Sequence, residues 1–180
     1  MQSLAKFLLL SLALASASTY ASGLIRGDFG YVSESKTTGG AETTTSRQTI
    51  EVAGGFMWPS GMALFGQYMM GTDTSTSGGS TTTDHRASYG PGIGYYSRAP
   101  MGFYVAGTYY FSSKLETPSV TYEGKGYQVD LGIKASFGNV AAVAGLAYDS
   151  FEYNKTSTGP LSPSDKITFI GPRIGVQMEF

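Results

Sequence analysis

The sequence predicts an all-β protein, an eight-stranded antiparallel up-and-down barrel that crosses a membrane, and three observations support this fold class. The 180 residues include 25 Gly, 13 Tyr and 10 Phe, and only 14% are charged. Eight segments alternate apolar with polar or small residues, so each predicted strand has one apolar face. The connections between these segments are alternately long and short. This order is typical of a barrel built from hairpins.

The amino terminus has the features of a secretory signal peptide. Lys6 precedes an apolar run over residues 7–15, and small residues follow it up to Ala21. As a helix this run would reach only about 14 Å, roughly half the thickness of the hydrocarbon core. We therefore expect a signal peptide over residues 1–21, cleaved after Ala21 or alternatively after Ala17, and a single barrel domain over residues 22–180.

The rest of the composition excludes several classes of protein. No later segment approaches eighteen consecutive apolar residues, so strands and not helices would have to cross a membrane. Cysteine is absent, which excludes disulfides and thiol chemistry. Without Lys6 the 12 basic residues become 11 against 13 acidic ones, a formal charge of −2 with no basic run. Nucleic acid is therefore excluded as a partner.

The first four strands are predicted where apolar residues occupy every second position. They cover residues 25–33, 49–58, 62–71 and 86–96. Their apolar positions, strand by strand, are Ile25, Phe29 and Tyr31; Ile50, Val52, Phe56 and Trp58; Leu64, Tyr68 and Met70; and Ala87, Tyr89, Ile93 and Tyr95. A tight turn is predicted at Pro59-Ser60-Gly61. The contrast between faces is weakest in the third strand, where Phe65 and Met69 occupy the opposite face.

The last four strands are predicted over residues 103–111, 127–137, 140–149 and 174–180. Their apolar positions are Phe103, Val105, Tyr109 and Phe111; Tyr127, Val129, Leu131, Ile133, Ala135 and Phe137; Ala142, Ala144, Leu146 and Tyr148; and Ile174, Val176, Met178 and Phe180. Short turns are predicted at residues 98–101 and at Gly138-Asn139. The last strand alternates strictly up to Phe180.

The remaining connections are predicted to be long loops over residues 34–47, 72–85, 112–124 and 152–166. They are rich in Ser, Thr and Gly, whose side chains suit either a solvated surface or the binding of sugars and partner backbones. Short turns at one end and long loops at the other match the periplasmic and extracellular ends of a transmembrane barrel. The loops are therefore the expected place for recognition of a partner.

Alternation alone does not separate a membrane barrel from a soluble barrel that binds a ligand inside, as lipocalins do. Three features favour the membrane. The strands are about nine to eleven residues long, enough to cross hydrocarbon when tilted. Charges of both signs occupy the polar face, where a closed barrel would hold them away from lipid. Aromatic residues suited to the membrane interfaces lie near the strand ends: Tyr31, Trp58, Tyr95, Phe103, Phe137, Tyr148 and Phe180.

The inward charges are predicted to form a structural ion-pair network. Five are acidic and four are basic: Asp28, Glu51, Asp130, Asp149 and Glu179, with Arg26, Arg86, Lys134 and Arg173. Arg26 and Glu179 lie near the same end of the first and last strands, which are neighbours in a closed barrel, so we expect them to pair. Because side chains fill the interior of an eight-stranded barrel, we expect no porin-like conduction. A narrow channel past these charges stays an alternative.

No catalytic, cofactor-binding or metal site is predicted, and the protein is expected not to be an enzyme. Ser88, His85 and Asp84 could form a triad only if they came within mutual reach, and their spacing does not match that of outer-membrane lipid A deacylases. A lipid-modifying enzyme stays an alternative that requires Ser88 and His85 to touch. Asp73 and Asp84 lack calcium-ligand spacing. The glycines of residues 90–94 have no helix after them, so they are expected to make room for lumen side chains such as Tyr104 and Tyr110.

Three segments carry a resemblance to a known family: Gly90-Pro91-Gly92-Ile93-Gly94-Tyr95-Tyr96, residues 126–132, and the terminal strand. With the amino-terminal segment, they resemble the small outer-membrane β-barrels that include the OmpA-like transmembrane domain, OmpX and the opacity proteins. The resemblance implies a bacterial outer-membrane location, contact with lipid and lipopolysaccharide, and a role in envelope structure or in adhesion to host or surface ligands through the loops. Ile174, Val176, Met178 and Phe180 resemble the signal that the barrel assembly machinery recognises.

Overall fold

A computed structural model describes residues 21–38 and 41–180 of the chain. Apart from Ala21, the predicted signal peptide lies outside the described residues and stays a prediction. Eight antiparallel strands close into a barrel in sequence order, and the last strand pairs with the first. The predicted fold class and strand count are confirmed. Within the described residues, no helix is long and apolar enough to cross a membrane.

The strands are longer than predicted, with 16 to 21 residues each. Their bounds are β1 Ser22–Thr38, β2 Ala41–Met57, β3 Met62–Ser77, β4 Ser80–Tyr96, β5 Met101–Glu116, β6 Thr121–Phe137, β7 Val140–Thr156 and β8 Gly159–Glu179. Throughout the predicted segments, the residues assigned to the polar face point inward and the apolar ones outward. This includes β3, in which Phe65, Gln67 and Met69 are buried while Tyr68 and Met70 are exposed.

The prediction of long loops is wrong. The segments from residue 72 to 85, 112 to 124 and 152 to 166 continue the strands almost to their tips, and so do the described residues of 34–47. Hydroxyl pairs join neighbouring strands in this region, such as Thr45 with Ser75 at 3.1 Å and Thr76 with Thr81 at 3.2 Å between oxygens. Thr favours strands, and cross-strand hydroxyl pairs stabilise them. The Ser/Thr-rich segments are therefore strands in this protein and not loops. The end that carries these extensions is called the hairpin end, and the opposite end the turn end.

The β3–β4 hairpin shows why the tips are so short. Gly78 and Gly79 have φ angles of +56° and +84°, the left-handed region that a two-residue hairpin turn requires. Glycine enters this region without the steric cost of a Cβ atom.

The junction between β1 and β8 is the shortest ladder of the barrel. It pairs Leu24 with Glu179 at the turn end and stops at Gly30 with Arg173, whereas β1 pairs with β2 from Ser22 to Thr38. In the same register, the next partner on β8 would be Pro172, which has no amide hydrogen to donate. Beyond Gly30, β1 and β8 are therefore paired on one side only.

A bulge interrupts the pairing of β5 with β6 between Tyr110 and Ser113. It inverts the alternation of β5, because the extra residue shifts every later side chain to the other face. As a result Leu115 is buried in the barrel, whereas Lys114 and Glu116 face outward.

Candidate functional site

The barrel interior holds polar side chains in several groups along its length. Toward the turn end, Arg26 donates from Nε to Asp28 at 3.0 Å and from Nη2 to Asp130 at 2.5 Å. Tyr104 donates to the other oxygen of Asp130 at 3.1 Å, and its ring lies 4.3 Å from the guanidinium of Arg26. Arg26 thus joins two carboxylates and the face of an aromatic ring.

A second group lies at mid-barrel around Glu51 and Asp149. Arg173 pairs with both carboxylates and lies 2.6 Å from Asp149. Gln128 donates from Nε2 to Glu51 at 2.9 Å and to Asp149 at 2.8 Å, and Gln67 donates to Glu51 at 2.8 Å. All five side chains are buried. One arginine and two amides therefore compensate two buried carboxylates.

A third group lies toward the hairpin end around Asp73. Arg86 and Arg47 bind its two oxygens at 2.9 and 2.8 Å. Arg86 also donates to the hydroxyl of Tyr153 at 3.0 Å, and Arg47 stacks on the ring of Phe169 at 4.0 Å. Neither Arg47 nor Asp73 was predicted, because both lie in segments interpreted as loops. Continued alternation of these polar side chains past the predicted strand ends was the signal available in the sequence.

Asp84 faces Asp73 across the β3–β4 ladder. Its Oδ1 atom is buried without a hydrogen-bond partner. Burial, and after it the negative charge of Asp73, raises the pKa of Asp84 above its ordinary value of 3.8.

The predicted pair between Arg26 and Glu179 is wrong. In the register of β1 and β8, Arg26 stands opposite Gln177, and Leu24 stands opposite Glu179. Arg26 points into the barrel toward Asp130, which its long side chain reaches. Glu179 lies at the turn end and binds Arg98 at 2.5 Å and Lys134 at 3.7 Å.

The nine residues predicted for the network all lie on the inward face, and eight are buried, with Glu179 partly exposed at the rim. The structure distributes them over four groups: Arg26, Asp28 and Asp130; Glu51, Asp149 and Arg173; Arg86; and Lys134 with Glu179. Sequence reasoning missed the amides Gln67 and Gln128, which link the carboxylates. The strand phase placed both side chains inward, but the network was predicted from charged residues, and these two amides carry no charge.

Apolar clusters enclose the polar groups. Toward the turn end, Met57, Phe65, Tyr96 and Tyr104 pack with smaller residues. Toward the hairpin end the cluster comprises Met69, Tyr110, Leu115, Phe151, Tyr153 and Phe169. Gly92 makes room for the first cluster, since a Cβ atom there would meet the ring of Phe65. Tyr104 does not lie over the glycines of residues 90–94 as expected, but over Gly132 and Gly145.

The outward face is a belt of exposed apolar side chains. Twenty-eight large hydrophobic residues among the described ones are between 38% and 74% exposed, and they come from all eight strands. Aromatic side chains concentrate near its two edges. Those toward the hairpin end are Tyr31, Tyr68, Tyr89, Tyr109, Phe111, Tyr127 and Tyr148, and those toward the turn end are Phe56, Trp58, Tyr95, Phe103, Phe137 and Phe180.

The structure does not bring together the residues of a candidate triad. Ser88 is buried inside the barrel and donates to the hydroxyl of Ser113 at 2.8 Å. His85 lies three positions along the same strand and is exposed on the other face. Among residues 21–38 and 41–180, no group of three or more His, Asp or Glu side chains is arranged to hold a metal ion.

Comparison with known proteins gives structural likeness without sequence likeness. No model of a protein family and no curated protein matches the chain. The crystal structure of Neisserial surface protein A superposes with a TM-score of 0.60 at 15% identity, covering 89% of this chain and 99% of that one. At this identity, the likeness concerns the fold.

Two further solved structures match with lower TM-scores. The translocator domain of the autotransporter NalP from Neisseria meningitidis has a TM-score of 0.39 at 14% identity, covering 97% of this chain and 68% of that one. A major outer membrane protein from Thermus thermophilus has a TM-score of 0.37 at 11% identity, covering 88% of this chain and 99% of that one.

Proposed function

We propose that this protein is an integral outer-membrane β-barrel whose interior is closed to solutes and which serves the envelope as a structural element, a surface-interaction element, or both. The observation that carries the membrane assignment is the outward apolar belt. Monomeric soluble proteins rarely expose contiguous apolar patches beyond a few hundred Å². This belt surrounds the whole barrel, and hydrocarbon is the solvent that suits it.

The distribution of polar groups supports the same assignment. A closed barrel satisfies its backbone hydrogen bonds between strands and leaves no edge toward lipid. The charges of the spanning segments point inward, where they have partners, and do not face the belt. Aromatic edges match the girdles of a membrane barrel. The hairpin end would then be extracellular and the turn end periplasmic.

Closure of the interior is supported by the packing of its side chains. Arg26 binds Asp130 across the lumen, and Glu51 binds both Gln128 and Arg173. Aromatic clusters lie on both sides of these groups. Conduction would require this network to separate. We therefore favour a non-conducting barrel over the narrow channel, and the opposite placement of Ser88 and His85 gives the lipid-modifying alternative no support.

Surface interaction is assigned to the hairpin extensions. They project beyond the aromatic edge and carry rows of hydroxyls, among them Ser33 with Ser46 at 3.3 Å and Thr43 with Ser77 at 3.1 Å. Such surfaces offer many hydrogen-bonding groups, interspersed with charged side chains of both signs. A host or environmental ligand that binds them would therefore be recognised by hydrogen bonds.

Biogenesis is assigned to the terminal strand and the barrel assembly machinery. Ile174, Val176, Met178 and Phe180 are all exposed on the outward face. Phe180 closes the barrel through backbone hydrogen bonds with Gly23 of 2.6 and 3.0 Å. We expect Phe180→Ala to lower the yield of assembled barrel in cells while leaving refolding in detergent nearly unchanged.

The direct test of the membrane assignment places a charge at mid-belt. Leu131 is 54% exposed at the middle of the outward face of β6. If lipid surrounds it, Leu131→Arg should destabilise the barrel in liposomes by about 2–4 kcal/mol. The control, Thr76→Arg at the hairpin end, should change stability little. Equal, small effects at both sites would refute the membrane assignment.

Closure is tested on the same refolded protein in planar bilayers. We expect negligible conductance in the bilayer. In electrophoresis, the same protein should give a band whose mobility changes on heating, as a stable barrel requires. Steady conductance would refute a closed lumen and favour the channel.

A further inference from the structure

Charged side chains on the outward surface of the hairpin end form two rows on the second half of the barrel. The first row crosses β6, β7 and β8, where the register places Lys125 beside Glu152 and Glu152 beside Lys166. The second row crosses β5, β6 and β7 and consists of Lys114, Glu123 and Lys155. All six side chains are exposed. Each row therefore places a carboxylate between two ammonium groups, and the ammonium groups are in excess.

The first half of the barrel differs. Where the side chains of β1 to β4 are described, the outward positions at the same level bear hydroxyl, amide or imidazole groups: Ser33, Ser46, Gln48, Thr72, Thr74 and His85. Arg86 of β4 points into the lumen and pairs with Asp73. Two acidic side chains adjoin the rows, Glu116 on the outward face of β5 and Asp165 on the inward phase of β8. An anionic ligand therefore has one side of the barrel to bind, at the two rows of lysines.

The lysines of the first row are available to a ligand. Within the described part of the chain, no carboxylate lies within 4 Å of the ammonium of Lys125 or Lys166. Glu152, which stands between them, instead accepts a hydrogen bond from Ser164 at 3.0 Å. The ion pair of the second row, between β5 and β6, is 3.6 Å long with both side chains more than half exposed. Such a pair contributes little to stability, so a competing anion can replace it.

The first row lies immediately beyond the hairpin-end edge of the apolar belt. Lys125 is two positions, about 7 Å along β6, past Tyr127. The ring of Tyr127 lies 6.0 Å from that of Tyr148 on β7. Below these rings the belt continues on the same three strands with the exposed residues Val129, Leu131, Leu146 and Ile170. A ligand in this position would be amphipathic, with its acyl chains on the belt and an anionic group at the lysines.

We propose that the two rows bind the phosphate groups of the glycolipid of the outer leaflet, lipopolysaccharide. The strands of Lys125 and Lys166 are about 10 Å apart, and the two flexible side chains can converge on one phosphate above Glu152. A second phosphate would contact the lysines of the second row. Charge complementarity selects this occupant, and Glu152 weakens its binding because it opposes the phosphate. The proposal rests on the membrane assignment above and on an extracellular hairpin end.

The test uses the refolded mature chain in detergent micelles that contain lipid A with two phosphates or the same lipid A with one, at equal mole fraction. A chelator removes divalent cations, and native mass spectrometry counts the bound lipid. We expect wild-type protein to retain the diphosphorylated lipid in preference. The double variant Lys125→Gln, Lys166→Gln should weaken this retention about tenfold. Glu152→Gln should strengthen it about threefold, because a charge that opposes the phosphate is lost.

Arg98→Gln is the control for loss of an exposed cation. Arg98 lies at the turn end, and its side chain is 39% exposed. Because this end is far from the two rows, the variant should retain both lipids as wild type does. Adsorption of acyl chains to the apolar belt alone would make retention independent of all these substitutions.

Failure of the site is distinguishable from failure of the proposed function. Absence of a heat-modifiable band from wild type in liposomes would refute the membrane assignment. The chain contains no cysteine, so Ser157→Cys at the hairpin end can be labelled selectively on intact cells with an impermeant maleimide. No labelling would refute the extracellular placement. If the barrel forms, equal retention of the two lipids by wild type would overturn the lipopolysaccharide site. So would a double variant that behaves as Arg98→Gln, or a Glu152→Gln variant that fails to strengthen retention.

Discussion

Arg26 Nη2 lies 2.5 Å from Asp130 Oδ2, although the two residues are 104 positions apart and stand on strands that are not neighbours. Both side chains are buried, so the pair spans the lumen and not its rim. Removal of one member of such a pair leaves an uncompensated buried charge. The pair is therefore a sensitive point for both barrel stability and closure.

We expect Arg26→Met to destabilise the barrel by about 3–5 kcal/mol, because Asp130 and Asp28 would lose their common partner. Denaturant unfolding in liposomes, followed by heat-modifiable mobility, measures this. Arg98→Met is the control, since Arg98 binds Glu179 with a side chain that is 39% exposed and should cost about 1 kcal/mol or less. Equal losses of stability for the two variants would contradict the prediction that the buried Arg26 pair matters more than the partly exposed Arg98 pair.

A second prediction concerns the packing of Phe65 against Gly92. A Cβ atom on Gly92 would lie 2.6 Å from Phe65 Cζ and 2.8 Å from Thr108 Oγ1. We expect Gly92→Ala to cost about 1–3 kcal/mol by overpacking. Combination with Phe65→Leu should recover part of this loss, measured as a double-mutant cycle.

Gly66→Ala is the matched control for that cycle. Gly66 faces outward in the neighbouring strand, and a Cβ atom there would meet nothing within 4 Å. It should leave stability nearly unchanged. A loss at Gly66 as large as at Gly92 would show that glycine matters here for the backbone and not for lumen space.

The inward and outward phases of the eight predicted segments were predictable because period-2 alternation is a local property of the sequence. Even β3, with Phe65 and Met69 on its inward face, followed the rule. The hairpin extensions were not recognised, since Ser and Thr occur in both loops and strands, and only partners on the neighbouring strand decide between them. Ser75 is such a partner for Thr45, and Thr81 is such a partner for Thr76.

The partners within the lumen could not be predicted either. Strand phase shows that Arg26, Asp130 and Glu179 face inward, but the shear of the barrel determines which heights coincide. Arg26 therefore met a carboxylate from β6 and not the one expected from β8. The bulge in β5, which turns Lys114 outward, likewise depends on pairing with β6.

The short ladder between β1 and β8 predicts uneven protection of amide hydrogens. Residues 31–38 of β1 are paired with β2 alone, whereas residues 72–77 of β3 are paired with both β2 and β4 at the same end of the barrel. When a strand has fewer hydrogen bonds to its neighbours, a smaller local unfolding event is enough to expose its amides to exchange. Hydrogen–deuterium exchange in liposomes should therefore be faster on average in 31–38. Equal rates would indicate that β8 pairs with this segment in solution.

The last prediction concerns Asp84, whose pKa is raised from 3.8 by burial and by Asp73. Because the folded state disfavours its charge, Asp84 destabilises the hairpin end once it ionises. This penalty fades as pH falls through about 3.8, the ordinary pKa, and is absent well below that pH, where the carboxyl is protonated in both states. As pH rises through the folded pKa the penalty becomes complete. Asp84→Asn should therefore stabilise the β3–β4 hairpin at pH 7 and much less at pH 3.5. Thermal unfolding at both pH values measures this difference. Asp165→Asn, at an exposed position of β8, should show no such pH-dependent gain. Equal gains for Asp84→Asn at both pH values would assign the effect to something other than ionisation.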